Sequence, residues 1–378
     1  MGQGLAGSLL AYFLMKKGRS VLVIDSDTEG GASKIAAGII NPITGKRFVK
    51  SWRIDAFLPL ARTTYKAIEN LLQMPIWQER EMLRTLKSVE EENQWLLRSG
   101  YDDYMPYCTD TIFTLKSSPE TVVNRVVGHE DWEKYLHVLQ KYSSLAIVKQ
   151  AAQVNIPSFI EHFKQYLVSI NAFLRDDFIY EDLHIEENGV SYKDYTAEKI
   201  IFCEGAKAVN NPYFNRLPFN PDKGELLIVK IPQLNLTQLF KHHLTIVPLG
   251  NDLYWVGATN DWHFKDDNPT EENKQIILKE LQEILNIPFE IVVHQAAIRP
   301  TVKDRRPFIG FHPNHPTLAI FNGFGTKGAS LIPYWGDYFA TILSNISETQ
   351  AAQEQQGSHP LDKEIDIMRY EKHLKNPT

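Results

Sequence analysis

The chain has 378 residues, of which 43% are hydrophobic and 23% charged, and its formal net charge is −6. This length favours two domains, and the composition excludes a largely disordered or fibrous chain. The acidic balance argues against a nucleic-acid partner, and the sequence has no run of roughly 18 or more apolar residues that would predict a membrane span. Cys108 and Cys203 stand far apart and are predicted to be free thiols, which fits a cytoplasmic protein.

The chain opens with a glycine-rich pattern, G-x-G-x-x-G, formed by Gly2, Gly4 and Gly7. Such a pattern makes a tight turn and lets the backbone at a helix N-terminus approach a pyrophosphate. A predicted helix follows, and then an apolar strand over residues 21–24 that ends at Asp25. An acidic residue in that position binds a ribose hydroxyl group. The pattern and its context predict a dinucleotide-binding unit.

The first strand of that unit is missing from the sequence, because only Met1 precedes Gly2. A parallel strand of about 5 residues does not fit there. Either the sequence lacks N-terminal residues or the fold lacks its central strand. The first alternative is favoured, since a sheet without its central strand leaves two neighbouring strands unpaired. We expect roughly 8–15 further residues to be encoded upstream, enough for a strand and a short lead-in.

A second loop of small residues occupies positions 30–38, directly after Asp25. Small residues let the backbone pass close to a flat cofactor. A flexible turn is the alternative, and the position after Asp25 favours the cofactor loop.

The rest of the chain alternates between two kinds of segment. Residues 151–167 read as a short strand and an amphipathic helix, which favours an α/β unit. Residues 224–262 read as antiparallel strands and residues 85–148 show no strong period, so both are assigned to a second domain. After them come a buried strand (318–321), a glycine-rich turn (323–328), a helix to about residue 343 and a predicted surface tail with a short helix.

Two cationic side chains near the last strand are candidates for binding anions. Arg299 has a guanidinium fork that matches a carboxylate, and the alternative is a salt bridge between domains. Lys327 lies in the turn before the last helix, where backbone N–H groups stabilise negative charge. A simple strand–turn–helix connection is the alternative there. No metal is expected, because His312 and His315 stand in a Pro-rich loop without neighbouring Cys or carboxylate ligands.

The order of these motifs resembles the D-amino-acid oxidase family of FAD-dependent oxidoreductases, nearest to its glycine-oxidase and sarcosine-oxidase branch. The motifs are the glycine fingerprint, the acidic strand end, G-A-S-x-x-A-A-G, a strand ending in E-G-A, V-G-A-T, R-P-T-x-x-D-x-x-P-x-I-G and the final glycine-rich turn. They extend from Gly2 to about Leu343.

The resemblance implies an α/β flavoprotein with a Rossmann-like FAD domain on a parallel sheet, discontinuous in sequence, and an α+β substrate domain on a mixed or antiparallel sheet. The FAD domain is assigned to residues 1–84, 150–214 and 299–346, the substrate domain to 85–149 and 215–298, and the C-terminal tail to 347–378. Matching motifs assign the FAD contacts to Gly2, Gly4, Gly7, Asp25, Ser33, Ala37, Gly38, Val154, Gly205, Ala206, Gly325, Thr326, Lys327 and Gly328. The turn at 323–328 lacks the Cys that holds flavin covalently in sarcosine oxidases, so FAD is expected to bind non-covalently.

The predicted function is oxidation of the C–N bond of an amino acid or secondary amine, by hydride transfer to flavin N5 with O2 as acceptor. The catalytic candidates are Arg299 for the substrate carboxylate, Lys327 for negative charge on the flavin, and Tyr254 for the wall of the pocket. The expected partner is a small molecule. Three alternatives stay open: a dehydrogenase of the same family, an oxidase of the tRNA-modifying type, and a flavin-fold protein without activity.

Overall fold

The computed structural model describes residues 1–28, 30–114, 144–349 and 361–375. Its α-helices are α1 (Leu5–Lys16), α2 (Ile54–Leu72), α3 (Val89–Ser99), α4 (Ile156–Ser169), α5 (Glu271–Ile284), α6 (Gly328–Thr349) and α7 (Glu371–Lys375). The strands up to residue 154 are β1 (Val23–Asp25), β2 (Ile39–Ile40), β3 (Ile43–Thr44), β4 (Val49–Lys50), β5 (Trp77–Glu79), β6 (Met82–Leu86), β7 (Phe113–Thr114), β8 (Ser144–Val148) and β9 (Ala152–Val154). Those that follow are β10 (Phe173–Arg175), β11 (Leu183–Ile185), β12 (Val190–Tyr192), β13 (Tyr195–Ala197), β14 (Ile200–Phe202), β15 (Asp222–Lys230), β16 (Leu239–Lys241), β17 (Thr245–Gly250), β18 (Leu253–Gly257), β19 (Glu290–Arg299), β20 (Phe308–Phe311) and β21 (Leu318–Asn322).

Polar side chains cap the N-termini of three helices, at Ser88, Asn155 and Thr270, and a glycine is the N-cap of another. Asn155 accepts a hydrogen bond from the Ser158 N–H at 3.3 Å, as the sequence predicts, and Thr270 accepts one from the Asn273 N–H at 3.3 Å. These bonds satisfy donors that a helix start leaves unpaired. The N-cap residue of α1 is instead Gly4, which has no side chain that could accept such a hydrogen bond. Among the described residues, no helix is both long enough and apolar enough to span a membrane.

The parallel strand pairs of the predicted FAD domain belong to two separate sheets. Strand β1 pairs in parallel with β10, and β14 pairs in parallel with β21, but no strand of the described residues lies between β1 and β14. Met1 and Gly2 lie there instead. The Gly2 N–H donates to the Ile24 carbonyl, and the Cys203 N–H donates to the Met1 carbonyl, both at 2.8 Å. The first two residues therefore bridge the two halves of the sheet at the end where the glycine fingerprint begins.

A cavity of about 590 Å³ continues from Met1 between the two halves of the sheet. Leu10 of α1, Val21 before β1 and Ile200 of β14 are among the residues that line it. The cavity therefore lies beside the strand edges that a central parallel strand would pair.

A strand added before Met1 is expected to fill this cavity. Fusing about five alternating Val and Ile residues to Met1 should raise the melting temperature, because the added strand would pair with β1 and β14 and bury apolar surface. Thermal melting followed by circular dichroism measures the change. A Gly–Ser fusion of equal length is the matched control and should leave the melting temperature unchanged. Equal melting temperatures for the two fusions would show that the cavity does not accept a strand.

The second large unit is a mixed sheet of eight strands, in the order β19-β15-β18-β17-β16-β6-β8-β7. Helix α5 packs on one face through Ile277, Leu281 and Ile284, which join a core with Leu227 and Val256. The sheet agrees with the mixed or antiparallel sheet that the resemblance implies. Strand β6 lies wholly in this sheet, so the predicted boundary at residues 84 and 85 falls within a strand. The division into domains stays a prediction.

The predicted surface tail is wrong for residues 361–375. Ile365 and Ile367 are fully buried, and the Ile309 N–H donates to the Ile365 carbonyl at 3.1 Å. Arg369 pairs with Asp304 at 2.9 Å. The segment packs against β20 because its few apolar residues face the core, a pattern that its polar composition hides.

Candidate cofactor and substrate site

The glycine fingerprint forms the N-terminus of α1. Gly4 is the N-cap residue, and the next donor, the Leu5 N–H, bonds to Ser33 Oγ at 3.1 Å. A Cβ atom added at Gly7 would lie 1.8 Å from the Gly2 carbonyl oxygen, so only glycine fits there. Gly2 has φ +95°, which also favours glycine. At this turn the glycines have no side chains that would cover the backbone at the N-terminus of α1, and this arrangement suits a phosphate.

The Asp25 carboxylate is fixed beside this turn. Its Oδ2 accepts from the Gln3 N–H and its Oδ1 accepts from the Asp27 N–H, both at 2.7 Å. A pocket of about 190 Å³ lies next to it, between Gln3 and α4. Lys164 pairs with Asp27 at 3.0 Å in this pocket, and that hydrogen bond holds the pKa of Asp27 below its ordinary value. The position of Asp25 at the strand end fits a ribose hydroxyl.

The second small-residue loop packs against β9 at positions that the resemblance assigned. The Val154 N–H donates to the Gly38 carbonyl at 2.9 Å. A Cβ atom on Gly38, whose φ is +68°, would lie 1.8 Å from the Val154 carbonyl oxygen. Ala37 next to Gly38 is buried. From the other side, Trp255 Nε1 donates to the Ile35 carbonyl at 2.9 Å. The loop is thereby held between the FAD domain and the substrate sheet.

Asn322 joins the E-G-A segment to the final glycine-rich turn. Its Nδ2 donates to the Gly205 carbonyl at 2.9 Å, and its Oδ1 accepts from the Gly323 N–H at 2.8 Å. Gly205 has φ +59°, and Ala206 follows it in a short 3-10 helix. Both residues therefore lie beside the turn that leads into α6. None of the sequence motifs pointed to Asn322.

The final turn contacts the segment that carries Arg299. Gly325, Thr326 and Lys327 form a 3-10 turn, and α6 begins at Gly328. The Gly325 N–H donates to the Pro300 carbonyl at 3.1 Å. The structure thus brings the predicted carboxylate ligand and the predicted flavin-facing turn together.

Lys327 is a half-buried cation without a carboxylate partner among the described residues. Its Nζ lies 3.3 Å from Ser51 Oγ, and that hydroxyl donates to the Asn41 carbonyl at 2.8 Å. Burial, with smaller contributions from Arg305 and Arg306, lowers the pKa of Lys327. A partly desolvated ammonium group in this position favours an anion close to it.

Arg299 is held in an ion pair. Its Nη1 donates to Asp222 Oδ2 at 2.6 Å and to Asn260 Oδ1 at 3.1 Å, and its Nη2 donates to the Thr259 carbonyl at 3.0 Å. Burial raises the pKa of Asp222, and the Arg299 charge acts in the opposite direction. The structure thus contains a salt bridge of the kind named as the alternative for Arg299, and its role as carboxylate ligand stays a prediction.

Tyr254 lies away from these residues, in contrast to its expected place in the pocket wall. Its side chain is buried in the core below α5, and its hydroxyl accepts from the Leu236 N–H at 3.1 Å. Successive side chains of a strand point to opposite faces, so the next residue, Trp255, faces the cofactor loop instead. Trp255 replaces Tyr254 as the candidate for the wall.

One trio outside this site has the residue types of a metal centre. His242, His243 and Glu280 place ligand atoms within 4.8 Å of one another. However, Lys87 Nζ lies 2.8 Å from His243 Nδ1 and 2.7 Å from its Nε2. Lys241 is also close enough to act on the pKa of His242. These positive charges oppose a divalent cation.

Comparison with known proteins gives the class to which this fold and site belong. Residues 1–342 match the family DAO, FAD dependent oxidoreductase, and the chain belongs to that family. The chain is therefore an FAD-dependent oxidoreductase, and the predicted family, fold class and cofactor are confirmed. The glycines that admit no Cβ, together with Asp25, fit the ADP half of FAD.

Among particular proteins, the chain is similar to glycine oxidases. It is 25% identical to glycine oxidase of Bacillus subtilis (strain 168) over 93% of each chain. The structure of glycine oxidase from Bacillus cereus ATCC 14579 matches with a TM-score of 0.72 and 20% identity, covering 96% of this chain and 98% of that one. Iminodiacetate oxidase from Chelativorans sp. BNC1 matches with a TM-score of 0.72 and 19% identity, covering 96% and 97%. These structural matches show the fold.

Proposed function

We propose that the chain oxidises the C–N bond of glycine or of a small N-substituted glycine, with O2 as the acceptor. The observation that carries this proposal is the contact between the Arg299 segment and the turn at 325–328. This contact supports the proposal, because Pro300, which accepts the bond from Gly325, directly follows Arg299, the proposed carboxylate ligand. Two similar proteins are named glycine oxidase and iminodiacetate oxidase. Both compounds contain an amine on a CH2 group that bears a carboxylate. This shared group is the proposed substrate class.

In the proposed reaction, the protein orients the substrate and excludes water. Bound FAD supplies the acceptor for a hydride from the substrate α-carbon. Arg299 binds the carboxylate and so fixes the distance of that carbon from the final turn. Trp255 closes the side towards the cofactor loop, and Lys327 with the start of α6 stabilises negative charge. The imine product then hydrolyses in water to a carbonyl compound and an amine or ammonia.

FAD is expected to leave the unfolded protein completely. The turn at 323–328 has no Cys, and the only two cysteines of the chain, Cys108 and Cys203, are buried. Denaturing purified holoenzyme and removing the precipitate should leave all of the yellow colour in the supernatant. Flavin that stays with the precipitated chain would contradict non-covalent binding.

The proposed function is tested by assaying purified holoenzyme in air with glycine, sarcosine and iminodiacetate. We expect hydrogen peroxide and glyoxylate from at least one of them, and no turnover of ethylamine, which lacks the carboxylate. Turnover only with an artificial electron acceptor would favour a dehydrogenase, a class that also has this fold. The L-proline dehydrogenase of P. horikoshii matches with a TM-score of 0.72 and 16% identity, covering 98% of this chain and 96% of that one. No turnover with either acceptor would refute the proposal.

A further inference from the structure

We infer that Asp222, Gly224 and Asn260 are positioning residues that orient Arg299, so that one edge of its guanidinium binds the substrate carboxylate. The inference rests on the proposed function. Neither the sequence motifs nor the similar proteins point to these three residues. In the pairing of β15 with β19, Asp222 lies opposite Arg299 and Gly224 lies opposite Ala297. Asn260 lies beside them because the next residue, Asp261, forms a bridge to Lys223 of β15.

Gly224 provides the space in which the guanidinium lies. A Cβ atom on Gly224 would be 1.8 Å from Arg299 Nη2, 2.2 Å from its Cζ and 2.8 Å from its Nη1. The Arg299 head group therefore lies flat against the bare backbone of β15. Gly224 does not have a positive φ, so an alanine there would adopt the backbone without strain. The substitution Gly224→Ala would consequently displace the guanidinium while leaving its charge in the protein.

Hydrogen bonds to the protein take up one end of the guanidinium. Its five N–H donors are fixed in a planar fork. Nη1 donates to both Asp222 and Asn260, and Nη2 donates once, to the Thr259 carbonyl. The Nε–H and the second Nη2 hydrogen make no hydrogen bond within the described part of the chain. Nε and Nη2 lie along one edge of the guanidinium, and two parallel donors on one edge match a carboxylate.

Because Asp222 is charged, the affinity of Arg299 for a second carboxylate depends chiefly on the orientation of the guanidinium. The Asp222 side chain is only 4% exposed and the Arg299 side chain 16% exposed, so the pair is largely withdrawn from water. Because Asp222 already balances the Arg299 charge, a second carboxylate gains less from net charge. It gains chiefly from two aligned hydrogen bonds, which depend on the orientation of the guanidinium. The salt bridge to Asp222 therefore holds Arg299 in the orientation that binds the substrate carboxylate. Arg299 thus forms a salt bridge and also serves as the ligand of the substrate carboxylate.

The test measures the binding of acetate, a carboxylate without an oxidisable amine, to holoenzyme by the change in flavin absorption. Gly224→Ala should weaken acetate binding by about 10- to 100-fold, because a displacement of about 1 Å is enough to cost that much. FAD content should stay as in the original protein, and Gly224→Ala should raise KM for the substrate far more than it lowers kcat. Gly100→Ala is the matched control, since a Cβ there makes only ordinary contacts, and acetamide is the uncharged probe.

Gly224→Ala made in an Arg299→Ala background distinguishes a misplaced Arg299 from a general loss of acetate binding. We expect Gly224→Ala to have no further effect on acetate binding there, because the group that it displaces is gone. Equal weakening in both backgrounds, or unchanged binding in Gly224→Ala alone, would overturn the inference. Asn260→Ala gives an independent measurement if Gly224→Ala fails to fold, and it should also weaken acetate binding, because it removes a bond that orients Arg299 without changing the charge of the site. If Arg299→Ala itself leaves acetate binding unchanged, the proposed role of Arg299 fails first.

Discussion

Replacing Arg299 with alanine is expected to raise KM for a carboxylate-bearing substrate strongly. Removing one partner of a buried charged pair costs about 2–5 kcal/mol, or roughly 30- to several-thousand-fold in affinity. Arg299→Lys should recover only part of this, because a point charge cannot reproduce two parallel hydrogen bonds. The FAD absorption spectrum should stay nearly the same, since Arg299 is not among the residues assigned to the cofactor. Steady-state kinetics on the three proteins, with absorption spectra, measure these effects.

Stability alone does not decide the role of Arg299. Removing it leaves the buried Asp222 carboxylate unpaired, so the melting temperature should fall whichever role is correct. The double variant with Asp222→Asn removes that unpaired charge and is the control for it. A purely structural salt bridge predicts loosened FAD and unchanged substrate affinity in the surviving holoenzyme. That result would remove Arg299 as the carboxylate ligand.

Gly7→Ala is expected to prevent firm binding of FAD. The added Cβ would lie 1.8 Å from the Gly2 carbonyl oxygen. Gly2 cannot move away freely, because its N–H donates to the Ile24 carbonyl and a Cβ atom built on it would already lie 2.6 Å from the Cys203 carbonyl oxygen. Overpacking of this kind costs about 1–3 kcal/mol, equivalent to a 5- to 150-fold rise in the FAD dissociation constant.

The FAD content of purified Gly7→Ala measures this prediction, with Gly100→Ala again as the matched glycine-to-alanine control. Circular dichroism of both variants shows whether the chain still folds. A folded Gly7→Ala protein that keeps one FAD per chain would contradict the assigned phosphate-binding turn.

Local motifs predicted FAD as the cofactor correctly, because each motif depends on residues close together in the chain. The fingerprint around Gly2 and Gly7 is a turn and a helix start, and Asp25 ends the next strand. The turn and the strand end depend on local geometry, so the sequence pattern alone is sufficient to predict them. The loop at 30–38 and the turn at 323–328 were found for the same reason.

The substrate half depended on contacts that the sequence does not reveal. Asp222 meets Arg299 only through the register of β15 and β19, which lie far apart in the chain. Tyr254 was assigned to the pocket wall although it stands in a continuous apolar run, in which alternation does not show which face each residue occupies. The burial of Ile365 and Ile367 was missed because a polar composition describes their segment on average and not residue by residue.

We propose that one cleft of this protein holds both FAD and a small amino acid. The most direct test is to add glycine, sarcosine or iminodiacetate to holoenzyme without oxygen and to record the flavin absorption. The account predicts that at least one of these compounds bleaches the visible band and that admitting air restores it. Bleaching should be absent with ethylamine and slowed at equal substrate concentration in Arg299→Ala. A flavin band that none of the carboxylate-bearing amines bleaches, in protein that retains FAD, would contradict the account.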